Sequence, residues 1–272
     1  VIVGLIVAVL KDVIDAKNRR AKEFFLSLIE TLATALDERD PYTHGHSRRV
    51  TALSLQLGLK LGLPFSEMRQ LRLCGILHDI GKIGIRDKVL LKQMKLTDEE
   101  FSTIKGHPTK GARILEKLQD NRMTEIVACV KHHHERWDGL GYPDGLQGEE
   151  IPLLARIVAI ADAYDAMTSD RPYRKGISPQ NALKEIEKAS GSQFAPELVR
   201  QFVSVFHIDG EQPGCPHLDT CPIFKRMGEE EISKAYEMQY CRVGYEACER
   251  FVLSAERKSV PPELLPDGGK LE

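Results

Sequence analysis

Aromatic side chains are scarce in this sequence, at 6% of 272 residues with a single tryptophan, Trp137. That scarcity excludes a platform of stacked rings for single-stranded nucleic acid. A basic excess is also missing, since 38 Lys and Arg stand against 40 Asp and Glu, for a formal charge of -2. No nucleic-acid polymer is implied as a partner, and any positive charge offered to a phosphate ester must be local, as bound metal ions would be. No apolar run approaches the ~20 residues of a membrane-spanning helix. VIVGLIVAVL at 1–10 falls well short of that, and without a basic flank or a cleavage site it is no signal peptide. It reads as the tail of a transmembrane helix, as the end of a signalling helix from an upstream domain, or as an apolar element packed on the body. The opening residue, Val1, suits a fragment or a processed product. Period-two alternation is lacking as well, so strands are not expected.

What is present reads as helix. Residues 11 to about 39 hold no proline or glycine, and Phe25, Leu28, Leu32, Ala35 and Leu36 recur at three- and four-residue steps until Pro41 ends the pattern. Such a helix either couples an upstream sensor to the body and pairs with a second copy, or simply packs on the core. Further stripes follow at Val50, Leu53, Leu57 and Leu61, then at Leu71, Gly75 and His78, then behind Pro108 at Gly111, Ile114, Leu115 and Leu118. Segments at 124–134, 153–168, 179–190 and 196–206 complete the set, with WDGLGYPDGLQGEEIP as the main long loop. The expected fold is all-α, a helical bundle. Its expected parts are an N-terminal helix at 1–39, a main domain at 40–207, a four-cysteine segment at 208–258 and a loose Pro/Gly-rich tail at 259–272.

His78 and Asp79, adjacent in LHDIGKIG, open the chemical argument. A carboxylate has two oxygens and can bridge two metal ions, while an imidazole fills one position on one of them. His46 precedes Val50, Leu53 and Leu57 by helical steps, and His107 precedes Gly111, Ile114 and Leu118 by the same steps. Asp162 lies between Val158 and Ala166 at four-residue spacing. An unpaired carboxylate on an apolar face would be costly, so Asp162 demands a partner. On a helical wheel, Ile126, Val127 and Val130 define one face. His133 and His134 fall within roughly 60° of its centre and His132 opposite, so the first two are expected to bind metal and His132 is not. His44 is read as a loop residue near the site and His207 as structural. Nitrogen and oxygen donors without thiolate suit iron, manganese, zinc or nickel. Seven ligands with one bridging carboxylate suit two such ions, ~3.5–4 Å apart and joined by a hydroxide, a device for in-line attack on phosphorus.

HDIGKIG, HHERWDGLGYP, IVAIADAYDAMTSDRPYR and the upstream YTHGHS resemble, in order and spacing, the HD-GYP family of HD-domain metal-dependent phosphohydrolases. The likeness covers about residues 20 to 207. It implies an HD-domain fold and hydrolysis of the messenger cyclic di-GMP to pGpG or on to GMP, with cyclic GMP-AMP the substrate of some members. The resemblance would assign His46, His78, Asp79 and Asp162 to one metal, with Asp79 bridging to a second held by His107, His133 and His134. Lys82 would contact the scissile phosphate and Gly141, Tyr142 and Pro143 would shape the substrate pocket. Arg171 and Arg174 would grip phosphate or guanine, unless they are surface charges paired with Asp165 and Asp170. Some members carry a glutamate where this chain has Tyr42, and there it supports a third metal, so two metals are expected here. A cytoplasmic catalytic domain, with an inner-membrane tether in a longer protein, is implied. Two rival readings stay open, a receptor that binds the messenger without turning it over and an HD hydrolase of mononucleotides.

Cys215, Cys221, Cys241 and Cys248 fit none of the tight zinc spacings. On an unbroken helix the last two would stand about 10.5 Å apart along the axis, too far for one tetrahedral ion, so a shared zinc or iron–sulfur site needs a break that Gly244 would provide. Free thiols and disulfides are the alternatives. Cys74 and Cys129 read as small buried residues.

Overall fold

A computed structural model describes residues 45–92, 94–118, 123–170, 174–206, 215–242, 248–256 and 258–271, with separate positions between 11 and 39. The helices are α1 (His46–Lys60), α2 (Phe65–Leu77), α3 (Asp87–Leu90), α4 (Asp98–Lys105), α5 (His107–Glu116), α6 (Thr124–His132), α7 (Leu153–Thr168), α8 (Pro179–Lys188), α9 (Pro196–Phe206), α10 (Ile223–Met227), α11 (Glu230–Tyr236) and α12 (Glu249–Ala255). A 3-10 turn runs over Ile80–Gly84 and a π-helical turn over Glu237–Arg242. The described residues form no strand beyond two isolated bridges, and the fold is all-α.

Local chemistry sets the ends. Pro64, extended, and Pro152 (φ -51, ψ 136), non-helical, precede α2 and α7 and cannot continue a helix backwards. Ser178 accepts from the Asn181 amide ahead of Pro179 at the first turn of α8, and Thr97 with Glu100 closes a reciprocal capping box on α4.

α7 runs through the centre. Its Ala155, Ile157, Val158, Ile160 and Ala161 are wholly buried against Val50, Leu55 and Leu57 of α1, Leu71 and Cys74 of α2 and Phe202 of α9 within one core. Each large aliphatic side chain removed from water there stabilises by about 1.5–3 kcal/mol. This is why α7 reads as nearly continuous hydrophobicity instead of a clean stripe. Cys74 and Cys129 are fully buried.

Some faces differ from the sequence reading. In the N-terminal segment Leu36 is buried as expected, but Leu28, Leu32 and Ala35 are exposed, and Ile29 and Ala33 bury instead. On α5, Ile114 is exposed, as is Leu118 just past its end, while His107, Gly111, Ala112 and Leu115 face inward. The tail is packed, not loose: Leu264 and Leu265 are buried, Arg250 donates to the Leu264 and Pro261 carbonyls, and Tyr236 donates to Asp267 at 2.7 Å. Residues 1–10, Pro41, Tyr42, His44, Arg171, His207 and Gly244 lie outside the described residues. No helix among the described residues is long and apolar enough to cross a membrane.

Candidate metal centre

Four helix ends, one 3-10 turn and the interior of α7 deliver the polar residues of the site. His46 is the first residue of α1 and His107 the first of α5. His78 caps the end of α2, and His133 and His134 follow directly on α6. Asp162 lies within α7. Asp79 is brought to His107 by the 3-10 turn, which crosses α5 at backbone contact. A Cβ on Gly81 would fall 1.9 Å from the His107 carbonyl oxygen, so only glycine permits that crossing.

Two groups result. His46, His78 and Asp162 present ligand atoms within 4.8 Å of one another, and so do His107, His133 and His134. Asp79 stands between them. Its Oδ2 is 3.4 Å from His78 Nε2 and 3.9 Å from His46 Nε2, and its Oδ1 is 3.1 Å from His107 Nε2.

Backbone carbonyls fix the imidazole tautomers. Nδ1 of His78, His107 and His133 lies 2.8 Å from the carbonyl oxygens of Gly75, Ile104 and Val130, each three residues upstream. A carbonyl only accepts, so Nδ1 carries the proton and the Nε2 lone pair points inward. His46 Nδ1 instead faces Asp165 Oδ2 at 2.7 Å. That carboxylate is clamped by Arg49, with Nε 2.5 Å from Oδ1. His78 Nε2 is buried and makes no hydrogen bond, an unmet lone pair that a cation would satisfy.

The electrostatics suit a cation. Burial pushes His46 down, but the Asp162 and Asp165 carboxylates outweigh it and raise it to about 10. Burial, with neighbouring imidazoles, lowers His133 strongly and His134 to about 4, leaving both neutral. Burial opposes ionisation of Asp79, but Lys82 and His78 override it and hold the carboxylate ionised. His46 does the same for Asp162. Neutral His133 and His134 with ionised Asp79 and Asp162 are in the protonation states that divalent transition metals require, whereas His46 must first give up a proton.

The remaining candidates divide. Lys82 Nζ lies 2.6 Å from Asp79 Oδ2. The Tyr142 ring lies tilted against the His134 ring, 4.9 Å away, and burial with Asp162 and Asp79 nearby raises its phenol so that it keeps its proton. Gly141 packs on backbone, where a Cβ would meet the Arg136 amide at 2.4 Å, and Pro143 follows Tyr142 through a cis peptide. Arg174 donates to the Ala166 carbonyl on α7 instead of pairing with Asp165 or Asp170. His132 turns away, its Nε2 3.0 Å from Asp144. His132→Ala is therefore expected to keep the full metal content, whereas His133→Ala loses about one ion per chain, as elemental analysis would show.

Three supporting residues escaped the sequence reading as parts of the site. Arg49 and Asp165 sit three residues beyond His46 and Asp162 on the same helix faces, a signal that was readable. Glu135 is buried and its carboxylate accepts from the Asp144, Gly145 and Leu146 amides, which fixes the loop carrying Tyr142. Cys215, Cys221, Cys241 and Cys248 lie outside both histidine groups.

An all-helical bundle that turns imidazoles and carboxylates from separate helices toward one centre is the framework of an HD-domain protein. The chain belongs to the HD-domain family, whose model, described as "HD domain", matches residues 30–198, and its motifs place it in the HD-GYP branch. It is 43% identical over 199 residues to the cyclic di-GMP phosphodiesterase PA4108 of Pseudomonas aeruginosa, covering 73% of this chain and 46% of that protein. A cyclic di-GMP phosphodiesterase of Thermotoga maritima is 41% identical over 184 residues, covering 68% of this chain and 50% of its own length. A 3'3'-cGAMP-specific phosphodiesterase 2 of Vibrio cholerae is 35% identical, covering 65% and 34%. The chain thus spans half or less of the length of these relatives. Among solved structures, a cyclic GMP-AMP specific phosphodiesterase of V. cholerae (V-cGAP3) shares the fold at a TM-score of 0.52 and 22% identity, covering 67% of this chain and 48% of that one.

Proposed function

We propose that this chain is a metal-dependent phosphodiesterase that hydrolyses cyclic di-GMP to pGpG, to GMP, or to both. The division of the two Asp79 oxygens between two histidine groups carries the reading, and the names of the relatives supply the substrate. His46, His78, Asp79 and Asp162 would hold one divalent ion and Asp79, His107, His133 and His134 a second, iron or manganese before nickel or zinc. Such ions lower the pKa of an attacking water and offset charge on the phosphate oxygens.

The chain's own groups do the positioning. Lys82, an ammonium beside Asp79, would meet the scissile phosphate and assist the leaving oxygen. Tyr142 offers its ring and a protonated hydroxyl at the edge of the second histidine group. Gly141 and Pro143 set that loop, and Arg171 and Arg174 would take a more distant phosphate or guanine edge. Cyclic GMP-AMP is the second reading, favoured by the 35% identity to the V. cholerae enzyme. A complete His/Asp set argues for turnover over mere reception of the messenger. We place the domain in the cytoplasm, joined through its N-terminal segment to a sensor or membrane tether. The exposed Phe24, Leu28 and Leu32 would meet a second copy, which light scattering would register as twice the mass of one chain.

The test is to incubate metal-loaded protein with cyclic di-GMP and with cyclic GMP-AMP and to resolve the products. Release of pGpG or GMP supports the reading. Tight binding with no cleavage under iron, manganese or nickel would leave the receptor reading standing.

Metal uptake should also release protons. His46, raised to about 10, is an imidazolium at neutral pH in the metal-free protein. Its Nδ1 faces the Asp165 carboxylate, so the proton that must leave is on Nε2. Lower pH keeps that proton on and weakens metal binding; higher pH strengthens it. Calorimetry in buffers of different ionisation enthalpy, at about pH 7.5, should report release of at least about one proton per chain. Zero release would contradict the ligand role of His46.

A further inference from the structure

Beyond the histidine centre, the fold gathers the four cysteines of the C-terminal segment. Cys241 and Cys248 are buried, Cys215 and Cys221 half-buried, and none is in a disulfide. The Cys215 amide donates to the Cys241 carbonyl at 2.6 Å, joining the two ends of the segment. The regular α-helix ends at Tyr236, and Cys241 sits in the π-helical turn Glu237–Arg242. Cys248 is extended (φ -74, ψ 117) as the residue capping α12. The helix break that a shared site requires is therefore present, and π-turns concentrate at functional positions.

The thiols sense one another. Burial, then Cys248, Cys215 and Cys221 in turn, push the Cys241 thiol up to about 12. Burial also raises Cys248, opposed by the Phe251 and Arg250 amides and reinforced by Cys215 and Cys221. Four sulfur donors on one short segment, two of them buried, are the ligand type that zinc and iron–sulfur clusters select.

We propose that Cys215, Cys221, Cys241 and Cys248 form a second, structural metal site, a four-thiolate centre for a zinc ion or an iron–sulfur cluster, separate from the His/Asp centre. No three of these sulfurs lie within 4.8 Å of one another, wider than one tetrahedral ion with bonds of about 2.3 Å would hold them. Binding either draws the sulfurs inward or fills the gap with a cluster. The site lies just beyond α11, which packs on α1 and α2. Ion pairs of Arg69 with Glu229 and Arg72 with Glu231 anchor that contact. A metal here would fasten the C-terminal segment to the helices that carry His46 and His78.

The test uses the full chain purified without oxygen or chelator. Elemental analysis with X-ray absorption at the metal edge should find sulfur scatterers at about 2.3 Å. Zinc with four sulfurs identifies the single ion; iron with acid-labile sulfide and visible absorption identifies the cluster. Either supports the proposal. Cys241→Ser should lose that sulfur-bound metal, keep the metal bound by nitrogen and oxygen, and melt at lower temperature. If that variant does not fold, the wild-type measurement decides. Metal with nitrogen and oxygen ligands only, and no zinc or iron bound by sulfur, would overturn it.

Discussion

Asp79→Asn is expected to abolish turnover, by about 10³-fold or more, the equivalent of about 4 kcal/mol in the transition state. The amide is nearly the same size, so packing survives. What goes is the charge that both histidine groups share, together with the second anionic oxygen. Asp79 Oδ1 faces His107 and Oδ2 faces His78 and His46, so one substitution should lower occupancy on both sides. Lys82, 2.6 Å from Oδ2, loses its counter-charge as well. Elemental analysis beside single-turnover hydrolysis checks this. Full metal content with activity near that of the wild type would show that Asp79 is not shared.

Gly81→Ala should be the most damaging small substitution away from the ligands. The new Cβ would sit 1.9 Å from the His107 carbonyl oxygen and 2.5 Å from the Gly111 amide nitrogen. Both are backbone atoms and cannot rotate aside, so the 3-10 turn and α5 must separate. Overpacking of this kind costs about 3 kcal/mol or more, a fall in melting temperature of roughly 6–12 °C for a domain of this size. Separation also carries His107 away from Asp79, so metal at the second histidine group should weaken first. Gly84→Ala is the control. Its Cβ meets only the flexible Lys110 Cδ at 3.3 Å, and it should stay within about 0.5 kcal/mol. Equal melting of both variants would refute the crossing argument.

Much of the site is readable from spacing because its histidines extend apolar helix faces. His46 and Val50 share one buried side of α1, and His107 and Gly111 share one of α5. The helical wheel puts His133 and His134 on the side where the structure groups them with His107, because His133 keeps near-helical angles (φ -67, ψ -10) beyond the end of α6. Periodicity is weaker where a helix has apolar residues on two sides. In the N-terminal segment it favours Leu28 and Leu32, whereas Ile29 and Ala33 are the buried pair, and nothing in the local pattern ranks one face above the other. Support from distant positions is harder still. Asp165 reaches His46 across 119 residues, a contact made by tertiary packing. The tail misleads for another reason, since its prolines and glycines mask Leu264 and Leu265, whose burial pins it.

Anomalous diffraction from crystals of manganese-loaded protein tests the shared-carboxylate centre most directly. The account predicts two peaks, one beside His46, His78 and Asp162 and one beside His107, His133 and His134, with one Asp79 oxygen on each. A single peak, or an Asp79 side chain turned out of the space between the two groups, would contradict it.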